Sequence, residues 1–120
     1  MSDTASTMLD TLESYHAARE DARHRNTVLL CQVGSKACPR CPPVAEGIAA
    51  LQHEFNFASA YCDANASELP EHFSISRLPA VVLAPVDGTA PIVVANATLE
   101  DVTIAVRAHC CPLFTTDAEF

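Results

Sequence analysis

Cys38 and Cys41 stand three residues apart in Ala37-Cys38-Pro39-Arg40-Cys41. Two thiols at that spacing can close a disulfide or share a metal ion. An apolar run, Val28-Leu29-Leu30-Cys31-Gln32-Val33, precedes them. A helical stripe of Val44, Ile48, Leu51 and Phe55 follows them. The pair thus falls at a strand-to-helix junction. There a helix N-terminus and a nearby cation stabilise a thiolate, the reactive form of cysteine. In a β-α setting the motif reads as a thiol redox site.

The exposed entrance to the helix makes Cys38 the attacking thiol. An ordinary cysteine pKa of about 8.5 falls to ~3.5–7.5 in such places. Arg40 and Lys36 add positive charge. Cys41, one turn further in, is the resolving thiol that would attack the mixed disulfide. Pro39, with Pro42-Pro43, makes a rigid turn that could hold the sulfurs together. With Cys38 as the cap, Pro42 and Pro43 fall where helical N–H donors are needed, so a later helix start is the alternative. Zinc is the rival use of the pair. It needs two more ligands, and His72, Cys62 or Cys110-Cys111 lack zinc-finger spacing. The histidines read as surface or capping residues.

The chain has 120 residues, 49% of them hydrophobic, enough for one domain with an ordinary core. A net charge of −8 with scattered basic residues argues against a nucleic-acid partner. Arg19, Arg23 and Arg25 are interleaved with Glu13, Glu20 and Asp21, as on a solvated helix face. No apolar segment approaches the ~18 residues of a membrane span. Met1-Ser2-Asp3-Thr4-Ala5 lacks a basic start and an apolar stretch, so no secretory signal is expected. Six cysteines sit mostly inside strand or helix patterns, which suits a reducing, cytoplasmic compartment with one working pair.

The spacing predicts helix over Thr7–Arg25, with Met8, Leu12, Tyr15, Ala18 and Ala22 as its apolar stripe and Thr7/Asp10 as a capping pair. Strands follow at Thr27–Val33 and Phe57–Cys62, flanking a helix from Cys41 to about His53. Ser67–Phe73 is a short helix. Ala80–Ala84 and Ile92–Ala95 form a hairpin around Asp87-Gly88. Thr98 opens a last helix with Leu99, Val102 and Val106 inward. The order is α-β-α-β-α-β-β-α: a single α/β domain over residues 1–109, with a four-stranded mixed sheet flanked by helices, and a tail over 110–120. Runs without polar alternation suggest a sheet covered on both faces.

This order, with Cys38-Pro39-Arg40-Cys41 after the first strand, resembles the thioredoxin superfamily over roughly residues 7 to 109. A second match is Ile75-Ser76-Arg77-Leu78-Pro79-Ala80-Val81-Val82-Leu83, about 38 residues further on. The resemblance implies that Pro79 is a cis-proline set against the cysteine pair. It implies that the backbone of Leu78 pairs with bound substrate, with Arg77 beside it. It also implies thiol–disulfide exchange with protein substrates, with electrons from a reductase or from glutathione, and no resident cofactor. The departures are specific. The first thioredoxin strand is lacking. Trp-Cys-Gly-Pro-Cys becomes Ala37-Cys38-Pro39-Arg40-Cys41. The buried aspartate six residues before the first cysteine is Gln32, which cannot titrate. Cys-Pro-x-Cys is closer to glutaredoxins or the oxidising bacterial disulfide enzymes, yet the glutathione-clamping stretch of glutaredoxins is not evident near Val94-Ala95-Asn96-Ala97. A non-catalytic thioredoxin-fold assembly or chaperone-like module is the rival reading.

Cys31 and Cys62 read as core or semi-buried residues. Cys110 and Cys111 read as exposed thiols at the end away from Cys38, because the last helix should run ~16 Å from the active edge. A disulfide-linked dimer through them is the expectation that follows.

Overall fold

The computed structural model describes residues 7–113. The Met1–Ala5 stretch and the Thr115–Glu119 part of the tail lie outside the described residues. In chain order the elements are β1 (Thr7–Met8), α1 (Leu12–His24), β2 (Val28–Gly34), α2 (Cys41–Leu51) and β3 (Phe55–Asp63), then α3 (Leu69–His72), β4 (Ala80–Ala84), β5 (Ile92–Val94), α4 (Leu99–His109) and β6 (Cys111–Pro112).

Five strands form one mixed sheet in the order β1-β3-β2-β4-β5. β2 is central. It runs parallel to β3, joined through α2, and antiparallel to β4. β5 returns antiparallel to β4. The side-chain period of two sorts β2 into opposite faces. Leu29, Cys31 and Val33 pack with Tyr15 and Ala22 of α1 and with Leu69 of α3. Val28 and Leu30 pack with Val44, Ile48 and Leu51 of α2 and with Val102 and Val106 of α4. Both faces are covered, which is why these strands show apolar runs.

The strand count corrects the expected four. Thr7 and Met8 do not open α1. They pair in parallel with Ala60 and Tyr61, and the Leu9 N–H donates to the Tyr61 carbonyl at 2.8 Å. Leu9 takes the core position at 1% exposure while Met8 is 55% exposed. The start of α1 is set instead by Thr11, whose hydroxyl accepts from the Ser14 N–H. The end of the chain is corrected as well. Cys110 caps α4 and is buried against its core. Cys111–Pro112 pairs antiparallel with Phe55 and Asn56 at the start of β3. Thr98 opens α4 as expected, and with Asp101 it closes a capping box.

The α1 arginines do more than face solvent. Arg23 pairs with Glu20 at 3.1 Å and Arg25 with Asp21 at 2.9 Å. Arg19 donates to the Thr89 carbonyl, tying α1 to the β4–β5 turn.

α2 and α4 meet at Gly47, where an added Cβ would overlap the Leu99 side chain. Glycine inside a helix costs roughly 0.5–1 kcal/mol relative to alanine, and here it stands where a side chain would not fit. Gly47→Ala is expected to lower stability by about 1 kcal/mol in the native background, because overpacking outweighs the propensity gain. In a Leu99→Ala background the same change should raise stability. Denaturant melts of the four proteins check this, and a stabilising Gly47→Ala in both backgrounds contradicts the packing.

Candidate redox site

Register brings the site together. Gly34 pairs with Asp63, and Val33 with Ala80, so the ends of β2 and β3 and the start of β4 share one edge. Val94 pairs with Val81, which delivers the residues after β5 to the same edge. The chain leaves β2 through a turn organised by Ser35, which is 9% exposed. Its hydroxyl accepts from the Ala37 N–H at 3.1 Å and from Asn65 Nδ2 at 3.0 Å. Its carbonyl accepts from the Cys38 N–H at 3.1 Å. Ser35 and Asn65 were not singled out in the sequence. The only signal was a serine directly after a strand, where its hydroxyl can close a turn.

Cys38 and Cys41 are joined as a disulfide, with their Cα atoms 5.4 Å apart. Both are half-buried. The helix begins later than Cys38. Arg40 is its N-cap, and the prolines fall in its first turn. Prolines are tolerated there because those N–H groups lack intrahelical partners. The placement also changes the electrostatics. Pro42 and Pro43 have no N–H, and the Cys41 N–H donates to the Cys38 carbonyl at 3.2 Å. The orphan donors expected to face the Cys38 sulfur are therefore largely missing.

Arg40 is exposed, and its guanidinium donates to Asn96 Oδ1 at 2.7 Å. Asn96 has a positive φ of 52°. Its N–H donates to the Arg77 carbonyl at 3.4 Å, and the Ala97 N–H donates to the Pro79 carbonyl at 2.7 Å. Asn96 thus links the cysteine motif to the Arg77–Pro79 segment. Sequence reasoning missed it because its partners are 56 and 19 residues away. The Leu78–Pro79 peptide is cis, as the resemblance implied. Pro79 is buried, Leu78 half-buried and Arg77 exposed.

Behind the disulfide lies a cavity of about 270 Å³. Cys41, Gln32, Gly34, Lys36, Tyr61 and Pro79 are among its walls. The structure therefore gathers Cys41, Lys36 and Pro79 around one space, while Arg77 stands outside it. Arg40 and Pro39 are exposed beside it. Among the described residues no three His, Cys, Asp or Glu side chains converge as a metal-ligand group. All five histidines are exposed.

The free cysteines divide by environment. Burial, with Cys62 nearby, pushes the Cys31 thiol up to about 12. Burial raises Cys62 as well. Cys110 is pushed up to about 11 by burial and by Cys111. Cys111 alone among the free cysteines is exposed. The expectation of two exposed terminal thiols is thus corrected to one, since Cys110 packs under α4. Their distance from Cys38 stands. Cys111 lies beside Asn56, and Asn56 is seven residue steps along β3 from Asp63 at the active edge, about 23 Å.

No protein-family model and no curated protein matches the chain. Among solved structures, the thioredoxin pre-protein of Schistosoma mansoni superposes with a TM-score of 0.74 at 16% identity, covering 88% of this chain and 99% of that one. Fasciola hepatica thioredoxin gives 0.72 at 15%, covering 86% and 98%. Mitochondrial thioredoxin 3 of Saccharomyces cerevisiae gives 0.71 at 16%, covering 88% and 96%. The chain has a thioredoxin-like fold.

In the reduced, folded protein at pH 7, a maleimide is expected to label Cys38 and Cys111 readily and to spare Cys31, Cys62 and Cys110. Mass spectrometry before and after denaturation reads this, and fast labelling of Cys110 would refute its burial. The same burial sets an alkaline limit. A thiol with a raised folded-state pKa supports the fold below its unfolded pKa of about 9 and loses that support as pH climbs toward 11–12. Melting temperature should therefore fall above about pH 9, and less so in Cys31→Ala than in the parent.

Proposed function

We propose that this thioredoxin-like chain is a thiol–disulfide oxidoreductase acting on protein disulfides through Cys38 and Cys41. The observation that carries the reading is the Cys38–Cys41 disulfide, set at the sheet edge with Pro79 lining the space behind Cys41. Cys38 attacks a substrate disulfide and forms a mixed disulfide. Cys41 then attacks Cys38 and releases the reduced substrate. Leu78 offers its backbone to the substrate chain beside Pro79, and Arg77 flanks that segment. A reductase or glutathione returns the electrons. Four free thiols among the described cysteines suit a reducing, cytoplasmic compartment. No helix among the described residues is long and apolar enough to cross a membrane. Where a disulfide-linked dimer forms, Cys111 is the thiol that makes it.

Reduction of insulin by the pre-reduced protein tests the reading. Turnover should vanish in Cys38→Ser, and Cys41→Ser should accumulate a mixed disulfide at Cys38. Absence of turnover with dithiol, glutathione or a thioredoxin reductase as donor would leave the second reading, a non-catalytic binding module. Gln32 in place of a titratable carboxylate and the prolines in the first turn of α2 favour that alternative.

Arg40, with Lys36 and Pro39, tunes the thiolate in this reading. Removing the Arg40 charge should make the pair more reducing. About 30 mV corresponds to ~1.4 kcal/mol for two electrons. A shift of about 5–20 mV is expected for Arg40→Gly, in proportion to an exposed charge. An unchanged potential would mean that Asn96 holds the guanidinium away from the sulfur.

A further inference from the structure

The wall of the cavity behind Cys41 contains a group that neither the motif nor the fold accounts for. Gln32 pairs across the sheet with Tyr61 on one side and Val81 on the other. These residues lie on the face that carries α2, since Leu30, Phe57 and Val81 pack there with Val44 and Ile48. Tyr61 therefore points under the first turn of α2. The space that a Cβ at Gly34 would occupy shows how near. Cys41 Sγ would lie 3.3 Å from it, and Tyr61 Oη 3.4 Å from it. Sulfur and phenol oxygen border the same small volume, which the missing side chain of Gly34 leaves open. No hydrogen bond occupies the Tyr61 hydroxyl among the described residues.

We propose that Tyr61 is the positioning residue of the resolving step: its hydroxyl donates a hydrogen bond to Cys41 Sγ, directly or through one water in the cavity, as that sulfur becomes a thiolate. This rests on the exchange chemistry proposed above. In that step the Cys41 S–H gives its proton to water. The Cys41 thiolate attacks Cys38 Sγ, and the bond from Cys38 to the substrate sulfur breaks. The substrate leaves as a thiolate and takes up a proton, so the pair is oxidised and the substrate reduced. Negative charge builds on a half-buried sulfur, where a hydrogen-bond donor is worth most. A cavity of about 270 Å³ has room for water.

The donor must stay protonated, and its surroundings keep it so. Burial, then Asp63 and Cys62, raise the Tyr61 hydroxyl above its ordinary range. Lys36, from the turn after β2, is the cation on the cavity wall. Pro79, Ala80 and Val81 bring no charge from the β4 side. Gln32 cannot accept the proton as a carboxylate would, which leaves stabilisation of the thiolate by donors as the route open to this chain.

Stopped-flow reaction of the reduced protein with 5,5′-dithiobis(2-nitrobenzoate), in a Cys111→Ser background, separates the two steps. The first phase reports attack by Cys38, and the second reports release of the remaining thionitrobenzoate by Cys41. Tyr61→Phe should leave the first phase unchanged and slow the second about tenfold at pH 7, moving its pH profile upward. Thiolate absorbance in Cys38→Ser protein should show the Cys41 pKa rising by about one in Tyr61→Phe. That titration needs no turnover, so it stands apart from any failure of the insulin assay. The proposal falls if the second phase and the Cys41 pKa are both unchanged in Tyr61→Phe. It also falls if Gln32→Leu produces the shift and Tyr61→Phe does not.

Discussion

The active edge depends on β2 being fixed in two dimensions at once. Its backbone is paired along both edges, to β3 and to β4. Its side chains are locked between two helical layers. A strand held this way cannot slip by one residue without turning every apolar side chain to the wrong face. The position of Gly34 is therefore set, and with it the Ser35 turn and Cys38. The same register aligns Ala80 with Val33 and so brings Pro79 to the same edge as the cysteines. Two motifs far apart in the chain meet because one strand cannot move.

This explains which parts of the site were legible in the sequence. The cysteine pair and the Leu78–Pro79 segment carry local signals, and the structure places both at one edge. The parts that were missed are fixed by register rather than by local pattern. Tyr61 is an ordinary strand residue until β3 is aligned with β2 and its ring falls beside Gln32. Asn96 looks like a turn residue until Arg40 reaches it from 56 positions away. The first strand was missed for a related reason. Two residues carry no periodicity, and Thr7 with Asp10 imitates a helix start that Thr11 and Ser14 in fact provide. Only the free edge of β3 distinguishes them. Cys110 looked exposed because it follows the helical stripe, yet the last turn of α4 folds it against Val28 and Phe57.

The prolines after Cys41 shape the electrostatics of the site. They allow a helix to start within one residue of the motif, since φ near −65° is already helical. They also strip that start of N–H groups that would have met the Cys38 sulfur. In the exchange proposed above, a thiolate at Cys38 would lean on the remaining dipole and on Arg40, whose guanidinium is already engaged by Asn96. Asn96 and the Cys38 sulfur would then compete for the one guanidinium, a balance that the motif dipeptide alone does not encode.

Six cysteines in one small domain raise the problem of unwanted exchange, and the fold answers it by position. An exchange needs a thiolate and a line of approach to the disulfide. Cys31 and Cys62 have neither, because the sheet interior keeps them protonated and covered. Cys110 is protonated under α4. Cys111 is open to solvent, but β6 pins it to the start of β3, at the end of the sheet opposite Cys38. Only the Cys38–Cys41 pair stands at the edge where Pro79 and the cavity meet. The strand register that assembles the pair also keeps the other sulfurs away from it.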